Sequence, residues 1–328
     1  MTERRLDPTT GEWRMFAGHR QDRTFLPPDE ACPLCPTRPG GPTTEIPLPH
    51  FEVAVFENRF PSLVRQPPEP GLAASALYPV APSYGVNEVV VYTDDHHSSL
   101  AQMDDSAVLR LVEVWADRYA ELGAREGIAY VFIFENRGVA VGVTLHHPHG
   151  QIYAYPEIPP RPRLELSTAR AHIEHHGTCV FCDVVARELA DGVRVVARNR
   201  SFLAFVPFAA RFPYEVHVIS HRHAASLLDV TDPERRELAR MLRTVVGGYD
   251  CLFGFPLPYV MSMHQAPTDD GEHQMVSHLH IEFTPVHRTA TKLKFLAGSE
   301  MGAGAFINDT APEDTAASLR DAVARASA

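Results

Sequence analysis

The sequence predicts an α+β fold that consists of two tandem halves, each with an antiparallel sheet and flanking helices. Two observations lead to this prediction. The 328-residue chain repeats one series of features in the same order: a Cys-x-x-Cys pair, a strand that ends at a histidine, a helix and a His-x-His strand. Within each half, short segments that alternate apolar and polar residues predict strands, and one longer segment has helical periodicity. Such self-similarity indicates an internal duplication.

The duplication is visible in three pairs of segments. The pairs are Cys32/Cys35 with Cys179/Cys182, VVVYTDDHHSSL (89–100) with VHVISHRHAASL (216–227), and HPHGQ (147–151) with HLHIE (278–282). The proline-rich stretch YPEIPPRPR (155–163) is the natural join between the two copies. We therefore predict a first half at residues 1–165 and a second half at residues 166–328.

The predicted elements follow in a similar order in both halves. In the first half the strands are FEVAVFENRF (51–60), NEVVVYT (87–93), VFIFEN (131–136) and HPHGQIYAY (147–155), with a helix within 101–126. In the second half the strands are SFLAFVPF (201–208), YEVHVIS (214–220) and HLHIEFTP (278–285), with a helix within 232–253. The C-terminal segment 312–328 predicts an amphipathic helix, because it begins with a proline and an acidic first turn.

Composition limits the classes of function. A hydrophobic content of 45% and a charged content of 22% are typical of a soluble globular protein. The net charge of -11 argues against a nucleic-acid partner, since a phosphate backbone requires a basic surface. The sequence shows neither a secretory apolar segment nor an apolar run of transmembrane length, so we expect a cytoplasmic protein without a membrane partner.

Histidines are unusually dense in the segment HHPHGQ (146–151). Alternate residues of a strand share one face, so His147, His149 and Gln151 are predicted to point the same way. Proline donates no ladder hydrogen bond, and Pro148 is therefore typical of an edge or bulged strand beside a site.

Three roles compete for these histidines. All of them could bind one catalytic metal, or all could be ordinary surface residues, although the repetition in both halves argues against the second role. In the third role, His147 completes a tetrahedral zinc site and leaves His149 free. Paired thiols in a reducing compartment favour zinc over a disulfide. The remaining ligands of that zinc site would be Cys32, Cys35 and His96.

The segment FENRGVAVGVTLHHPHGQ (134–151) resembles the signature of the galactose-1-phosphate uridylyltransferase family, which belongs to the histidine-triad superfamily. The resemblance extends over nearly the whole chain, from LDPTTGEWRMFAGHRQDR to TATKLKFLAGSE. Members of this family contain two fused triad-like halves, which agrees with the duplication. The resemblance implies a nucleotidyltransferase that moves UMP from UDP-glucose to galactose 1-phosphate with ping-pong kinetics.

The resemblance implies that His149 is the nucleophile and that Gln151 assists it. A neutral imidazole is abundant at neutral pH and can hold uridylate as a phosphoramidate. Glutamine cannot release a proton, but its amide can hydrogen-bond a phosphoryl oxygen. A departing sugar phosphate needs no acid, so Gln151 favours nucleotidyl transfer to a phosphate over hydrolysis.

The resemblance also implies which residues bind the substrates, UDP-hexose and hexose 1-phosphate. The positions that hold the nucleotide and its phosphates are Arg20, Arg23, Asn58, Arg59, Asn136 and Gln151, and those that reach the sugar and phosphate are Lys294, Phe295 and Glu300. Such groups would let a chain of negative net charge bind a dianionic sugar phosphate. The family further implies a homodimer with a shared active site.

Two metal sites are expected. The first is a closed structural zinc site formed by Cys32, Cys35, His96 and His147. For the second, the duplication predicts zinc at Cys179, Cys182, His223 and His278. Some family members instead hold iron with one glutamate and three histidines, here Glu165, His264, His278 and His280. Because both sets require His278, we expect a single geometry, and soft thiolate ligands favour the zinc set.

Two other functions remain open. A nucleotide-sugar phosphorylase, such as an ADP-glucose phosphorylase, would use the same His149 intermediate but accept inorganic phosphate. A non-catalytic, zinc-stabilised binding module would leave His149 as a spare surface residue. The chain departs from the family at Thr144-Leu145-His146, where relatives have Ser-Asn-Pro, and at Ser299, where they often have tyrosine. These departures leave the hexose preference open, and HLHIE (278–282), which lacks the glutamine, is not expected to be a second catalytic centre.

Overall fold

Antiparallel strands and flanking helices form the molecule, which confirms the predicted α+β class. The computed structural model describes residues 2–328. The strands are β1 (Thr2–Asp7), β2 (Glu12–Ala17), β3 (Ala54–Glu57), β4 (Val80–Pro82), β5 (Val86–Val91), β6 (Tyr130–Arg137), β7 (His149–Tyr155), β8 (Val195–Arg198), β9 (Phe202–Phe205), β10 (Val216–Ser220), β11 (Tyr259–His264) and β12 (His280–Pro285). The helices are α1 (Asp105–Gly123), α2 (Pro160–His176), α3 (Val180–Asp191), α4 (Asp232–Leu252), α5 (Gly298–Ala303) and α6 (Pro312–Ala326).

The two halves share one continuous sheet. Nine strands within residues 54–285 are ordered β3-β5-β7-β6-β11-β12-β10-β9-β8. At its centre β6 of the first half pairs antiparallel with β11 of the second, with Tyr259 opposite Arg137 and Met263 opposite Ile133. The strand order of each half is mirrored across this junction, as a duplication predicts. Alternation along the sequence predicts β6 but not β11, and it does not reveal that the two sheets join edge to edge.

One hydrophobic core supports both halves. The predicted apolar stripe of α1 is fully buried, and α1 packs against the equivalent helix α4. The stripe consists of Val108, Leu111, Val112 and Trp115. The Asp104 side chain accepts a hydrogen bond of 2.8 Å from the backbone N–H of Ala107 and thereby caps α1. The core cluster contains residues from the strands of both halves, so neither half buries its apolar surface alone.

Several elements were not predicted from the sequence. The N-terminal strands β1 and β2 form a separate sheet with β4, in the order β2-β1-β4. Helix α2 begins inside the proline-rich join and continues past residue 165, so the predicted boundary between the halves falls within a helix. Proline is compatible with this start because its missing N–H would have no partner in the first turn. Within residues 2–328, no helix is both long enough and apolar enough to cross a membrane.

Candidate active site and metal clusters

Strand β7 carries the central part of the site. His149 lies opposite Val91 of β5 and Gln151 lies opposite Phe134 of β6, so the strand is held on both sides. His149 and Gln151 share a face and line one cavity. His147 precedes the strand, and its ring faces the Cys32/Cys35 pair, so the predicted single face includes His149 and Gln151 alone.

Gly150 lies between these two side chains on the opposite face of β7. A Cβ atom at this position would overlap the hydroxyl oxygen of Tyr92 and lie 3.0 Å from the carbonyl oxygen of Phe134. The strand can therefore approach the buried residues beneath it only with glycine at this position.

The His149 imidazole has a defined orientation. Its Nδ1–H donates a hydrogen bond of 2.7 Å to the backbone carbonyl of His147. Since a carbonyl only accepts, the proton resides on Nδ1 and the lone pair on Nε2. Burial lowers the pKa of His149 below its ordinary value, which keeps the ring neutral near pH 7. A neutral imidazole with a free Nε2 lone pair can act as a nucleophile.

His149 separates two cavities. The cavity on one side has a volume of about 110 Å³, and Leu34, Phe56 and Val89 give it an apolar wall. The cavity on the other side has a volume of about 370 Å³ and contains polar groups that include Asn136. An apolar slot next to a polar chamber can accept a flat base on one side of the nucleophile and a phosphate on the other.

Gln151 is oriented by two donors. Its Oε1 accepts hydrogen bonds of 3.2 Å from Asn58 Nδ2 and 3.4 Å from the Tyr153 hydroxyl. Both contacts use the carbonyl end of the amide. The NH₂ end is therefore available to donate to a phosphoryl oxygen beside His149.

The remaining residues expected to bind the nucleotide lie on this side of the molecule. Arg20 donates to the carbonyl of Phe60 at 3.0 Å and contacts the Tyr153 hydroxyl at 3.4 Å. Arg23, Asn58 and Arg59 line the 110 Å³ cavity. The guanidinium of Arg59 is mostly exposed and lies 3.4 Å from Glu45, so it is free to move toward a ligand at the rim.

The segment with Lys294, Phe295 and Glu300 does not reach His149 within one chain. The ammonium group of Lys294 is buried and donates to Glu300 Oε1 at 3.0 Å. Phe295 is 74% exposed. None of the three residues is among those that line either cavity beside His149. The structure therefore groups these residues with one another and separates them from the nucleophile.

The first predicted metal ligands converge. One ligand atom from each of Cys32, Cys35, His96 and His147 lies within 4.8 Å of the other three. Cys35 Sγ is 3.3 Å from His96 Nδ1 and 3.5 Å from His147 Nδ1. All five cysteines of the chain are free thiols.

The chemistry of this donor set fits a divalent cation. Burial and the neighbouring Cys32 raise the pKa of Cys35 to about 12, so two adjacent thiolates require a compensating positive charge. Both imidazoles point Nδ1 inward and donate Nε2–H outward, His147 to the carbonyl of Thr93 at 2.7 Å and His96 to Asp29 at 3.1 Å. Such outer contacts are typical of metal-bound histidines.

The equivalent cluster in the second half has the same arrangement. Its members, all within 4.8 Å by ligand atom, are Cys179, Cys182, His223 and His278. Cys182 Sγ lies 3.6 Å from His223 Nδ1 and 3.7 Å from His278 Nδ1. The outward Nε2 of His278 faces the hydroxyl of Ser220 at 2.9 Å. Both clusters could hold a metal ion.

The expectation that two ligand sets compete for His278 does not match the structure. Glu165, His264 and His280 form a separate group within 4.8 Å, while His278 lies with the cysteines. Glu165 accepts a hydrogen bond of 2.8 Å from His264, and the rings of His264 and His280 stack at 4.9 Å. The two sets coexist because β12 begins at His280, so His278 lies before the strand and does not follow its alternation.

His280 is the residue of the second half that corresponds to His149, and its ring is buried. Its Nδ1 donates to the carbonyl of His278 at 2.8 Å, as His149 does to that of His147. However, the rings of Phe181 and His264 cover it at 4.9 Å each, and the adjoining cavity measures only about 20 Å³. A nucleotide cannot enter such a space. The geometry thus supports the prediction that HLHIE is not a second catalytic centre.

Some residues of the site were not identified from the sequence. Arg137 lines the 370 Å³ cavity and forms a bidentate ion pair with Asp250 of α4 at 2.7 and 3.1 Å. Because Arg137 and Asp250 are far apart in the chain, no local sequence pattern predicts that they pair. Phe56 could have been predicted to line the site, because it precedes Asn58 by two positions and alternate residues of a strand share a face.

Two models of one protein family match this chain, and they cover nearly all of it. The family model for the N-terminal domain of galactose-1-phosphate uridyl transferase matches residues 1–159, and that for the C-terminal domain matches residues 165–327. The galactose-1-phosphate uridylyltransferase of Thermotoga maritima is 40% identical over 321 residues, which cover 98% of each chain. That of Streptomyces lividans is 37% identical over 290 residues, covering 86% of this chain and 76% of the relative.

Solved structures agree with these relationships. A structure of a uridylyltransferase aligns with a TM-score of 0.87 at 37% identity, covering 98% of this chain and 99% of the other. An ADP-glucose phosphorylase from Arabidopsis thaliana, solved with bound ADP-glucose, aligns with a TM-score of 0.74 at 24% identity over 98% of both chains. This second likeness demonstrates a common fold. The matched family models and the full-length relatives together establish that this chain belongs to the galactose-1-phosphate uridylyltransferase family.

Proposed function

We propose that this chain is a galactose-1-phosphate uridylyltransferase that transfers UMP from UDP-glucose to galactose 1-phosphate through a covalent uridylyl-histidine at His149. The main supporting observation is the position of the His149 ring between an apolar and a polar cavity, with Nδ1 tied to a carbonyl and Nε2 free. Relatives that span nearly the whole chain carry the same activity in their names.

In the first step, the Nε2 lone pair of His149 attacks the α-phosphorus of UDP-glucose. The bond from phosphorus to the oxygen of glucose 1-phosphate breaks, and that oxygen leaves with the electron pair. The imidazole becomes positively charged, and its Nδ1–H remains bonded to the carbonyl of His147, which stabilises the charge. Gln151 donates its amide to a nonbridging phosphoryl oxygen.

In the second step, a phosphate oxygen of galactose 1-phosphate attacks the same phosphorus. The Nε2–P bond breaks, its electrons return to the imidazole, and UDP-galactose leaves. Both leaving groups are good at neutral pH, so neither step requires an acid. The residues that hold the nucleotide and its phosphates are Arg20, Arg23, Asn58, Arg59 and Asn136.

We further propose that both Cys₂His₂ clusters bind structural zinc. Four ligands close a tetrahedron without an open position, so the ion would organise the protein and take no part in the transfer. In the first cluster it would fix His147, whose carbonyl orients His149. The alternative iron set would need His278 together with Glu165, His264 and His280, but His278 lies with the cysteines.

The functional unit is proposed to be a cytoplasmic homodimer. The substrate-binding segment with Lys294, Phe295 and Glu300 lies away from the cavities of its own chain, and its neighbours are exposed apolar side chains, which are Leu296, Met301, Phe306 and Ile307. A second copy of the chain would supply this segment to His149. Free thiols are stable in a reducing compartment, which favours the cytoplasm. Residues 1–165 and 166–328 remain our division of the protomer.

The direct experiment is mass spectrometry after exposure to UDP-glucose in the absence of an acceptor. We expect one uridylyl group on the peptide that contains His149 and its loss when galactose 1-phosphate is added. The variant His149→Asn should acquire no adduct, whereas the surface control His175→Asn should behave like the wild type. An adduct on another residue, or none at all, would contradict the proposed mechanism.

A four-way assay separates the related functions. UDP-glucose and ADP-glucose are each incubated with galactose 1-phosphate or with inorganic phosphate, and the products are separated by chromatography. We expect turnover with UDP-glucose and galactose 1-phosphate. Turnover of ADP-glucose with phosphate alone would identify a phosphorylase, and metal binding without any turnover would identify a binding module.

A further inference from the structure

The segment between the two cysteines of the first cluster also forms part of the apolar slot beside His149. Pro33 and Leu34 lie between Cys32 and Cys35, and both line the 110 Å³ cavity. The Leu34 side chain is only 3% exposed, so it is packed against the rest of the protein. One short loop therefore contains two proposed metal ligands and part of the wall of the slot.

The packing of Leu34 determines on which face of the sheet this wall lies. Leu34 belongs to a small buried apolar cluster with Val89 and Val91 of β5. In the pairing of β5 with β7, Val89 lies opposite Gln151 and Val91 lies opposite His149. Residues directly opposite each other in antiparallel strands point to the same face. Leu34 therefore packs on the face of the sheet that carries the nucleophile, away from the main core that α1 and α4 cover.

Little regular structure holds this loop in place. Among the residues that the structure describes, 32–53 form no helix or strand. The backbone N–H of Cys35 donates to the Cys32 carbonyl at 3.4 Å, and that of Glu45 donates to the Pro33 carbonyl at 3.0 Å. A metal ion bound by both thiolates would tie the two ends of the loop to the histidines of the first cluster.

The second half provides an internal comparison. Its loop CVFC (179–182) has the same spacing, and Phe181 corresponds in position to Leu34. The ring of Phe181 lies 4.9 Å from the ring of His280, which is the counterpart of His149. In both halves, the residue before the second cysteine thus reaches the space beside the second histidine of the His-x-His motif. The second loop, however, forms the start of α3, so a helix supports it in addition to the cluster.

On the basis of the proposed function, we propose that Pro33 and Leu34 couple the first metal cluster to binding of the nucleobase. With the cluster closed, both side chains form the wall against which the base packs. When the metal is lost, the loop loses its anchor, and the base loses apolar contact area with this wall. The second cluster has no such connection, because its loop covers the buried His280.

The test measures binding of UMP by titration calorimetry, together with metal content, in the wild type, Cys35→Ser and Cys182→Ser. Each variant should lose one metal equivalent, but only Cys35→Ser should raise the Kd of UMP, by about tenfold or more. Ribose 5-phosphate, which lacks the base, should change in Kd by less than about twofold, because it has no base to contact the wall. An unchanged Kd of UMP in Cys35→Ser, an equal rise in Cys182→Ser, or an equal rise for ribose 5-phosphate would each overturn the proposal.

Variants of Leu34 keep the test decisive if Cys35→Ser is poorly folded. Leu34→Ala should retain both metal ions yet raise the Kd of UMP about three- to tenfold, because the wall recedes from the base. The volume-conserving Leu34→Met, and Phe181→Leu in the second loop, should bind UMP as the wild type does. A wild-type Kd in Leu34→Ala would overturn the proposal.

The double variant Leu34→Ala/Cys35→Ser tests whether the metal acts through this wall. Its Kd for UMP should be no higher than that of Cys35→Ser alone, because both changes remove the same contact. Losses that multiply would show that the metal acts by another route, and they would contradict the coupling.

A preliminary titration separates this proposal from the proposed function. The wild type is titrated with UMP and with AMP. Binding of AMP alone would contradict uridylyl transfer, and the same variants would then test the coupling with AMP in place of UMP. Binding of neither nucleotide would contradict both proposals.

Discussion

At the level of single residues, Gln151 presents one end of its amide to the protein and the other to the substrate. Asn58 and Tyr153 both donate to Oε1, which directs the NH₂ group toward the phosphorus centre. The variant Gln151→Glu has the same shape but replaces a donor by a negative charge. We expect kcat to fall by about 10² to 10³-fold, which is the usual cost of losing one donor to a developing oxyanion.

The control for this variant is Tyr153→Phe, which removes one of the two orienting hydrogen bonds and the 3.4 Å contact with Arg20 but leaves the amide in place. Its kcat should fall by less than about tenfold, in keeping with a neutral hydrogen bond. Steady-state turnover of UDP-glucose with galactose 1-phosphate measures both. Wild-type activity in Gln151→Glu would show that the amide makes no contact with the transferred phosphoryl group.

The residues of the site differ in how far the sequence identifies them. His149 and Gln151 belong to one short motif, and their spacing alone places both on one face of a strand. Glu135 is within the quoted signature, yet its side chain is hydrogen-bonded by Tyr92 and Tyr259, which lie far from it in the sequence. Sequence periodicity describes one element at a time. Contacts between residues of different elements become visible only when the sheet is assembled.

At the scale of elements, the first cysteine–histidine cluster brings together three segments that are far apart in the sequence. It fixes His147, and through its carbonyl the His149 ring at the start of β7. We therefore expect Cys35→Ser to lose one metal equivalent per chain and about tenfold or more of its uridylylation rate. Metal content by plasma mass spectrometry and the rate of adduct formation provide the two readouts.

Two matched cysteine variants sharpen this prediction. Cys182→Ser should also lose one metal equivalent but retain most of the uridylylation rate, because its cluster orients the buried His280 and leaves His149 unaffected. Cys251→Ser, in neither cluster, should keep both ions. An equal loss of rate in Cys35→Ser and Cys182→Ser would indicate general destabilisation in place of local orientation.

At the scale of the whole molecule, the duplication explains why one chain has one catalytic centre. Both halves hold the second histidine of their His-x-His motif by the same backbone contact. In the second half, Phe181, His264 and an ion-paired Glu282 fill the space that the first half leaves as two cavities. The repeated motifs predicted this common framework. Phe181 lies between the two cysteines of this half and Glu282 is the last residue of HLHIE, whereas His264 lies outside the repeated motifs. The motifs alone therefore do not predict how much space remains beside the histidine.

The arrangement of the whole molecule also determines whether one chain contains a complete site. Phe295 belongs to the segment expected to bind the sugar phosphate, but it is 74% exposed and lines neither cavity beside His149. If a second copy supplies it, Phe295→Ala and His149→Asn are defects in different chains of one site. Because Phe295 is exposed, its truncation should leave the fold intact while raising the KM for galactose 1-phosphate.

Mixed dimers of the two variants distinguish the alternatives. With the segment supplied by the partner, a mixed dimer contains one site with both residues intact and one with both altered, so it should recover up to half of the wild-type activity. With the segment supplied by the same chain, every site carries one defect and no activity returns. The variants are purified with different affinity tags, co-expressed, and assayed after isolation of the doubly tagged species. Activity no higher than the average of the two parents would exclude a shared active site.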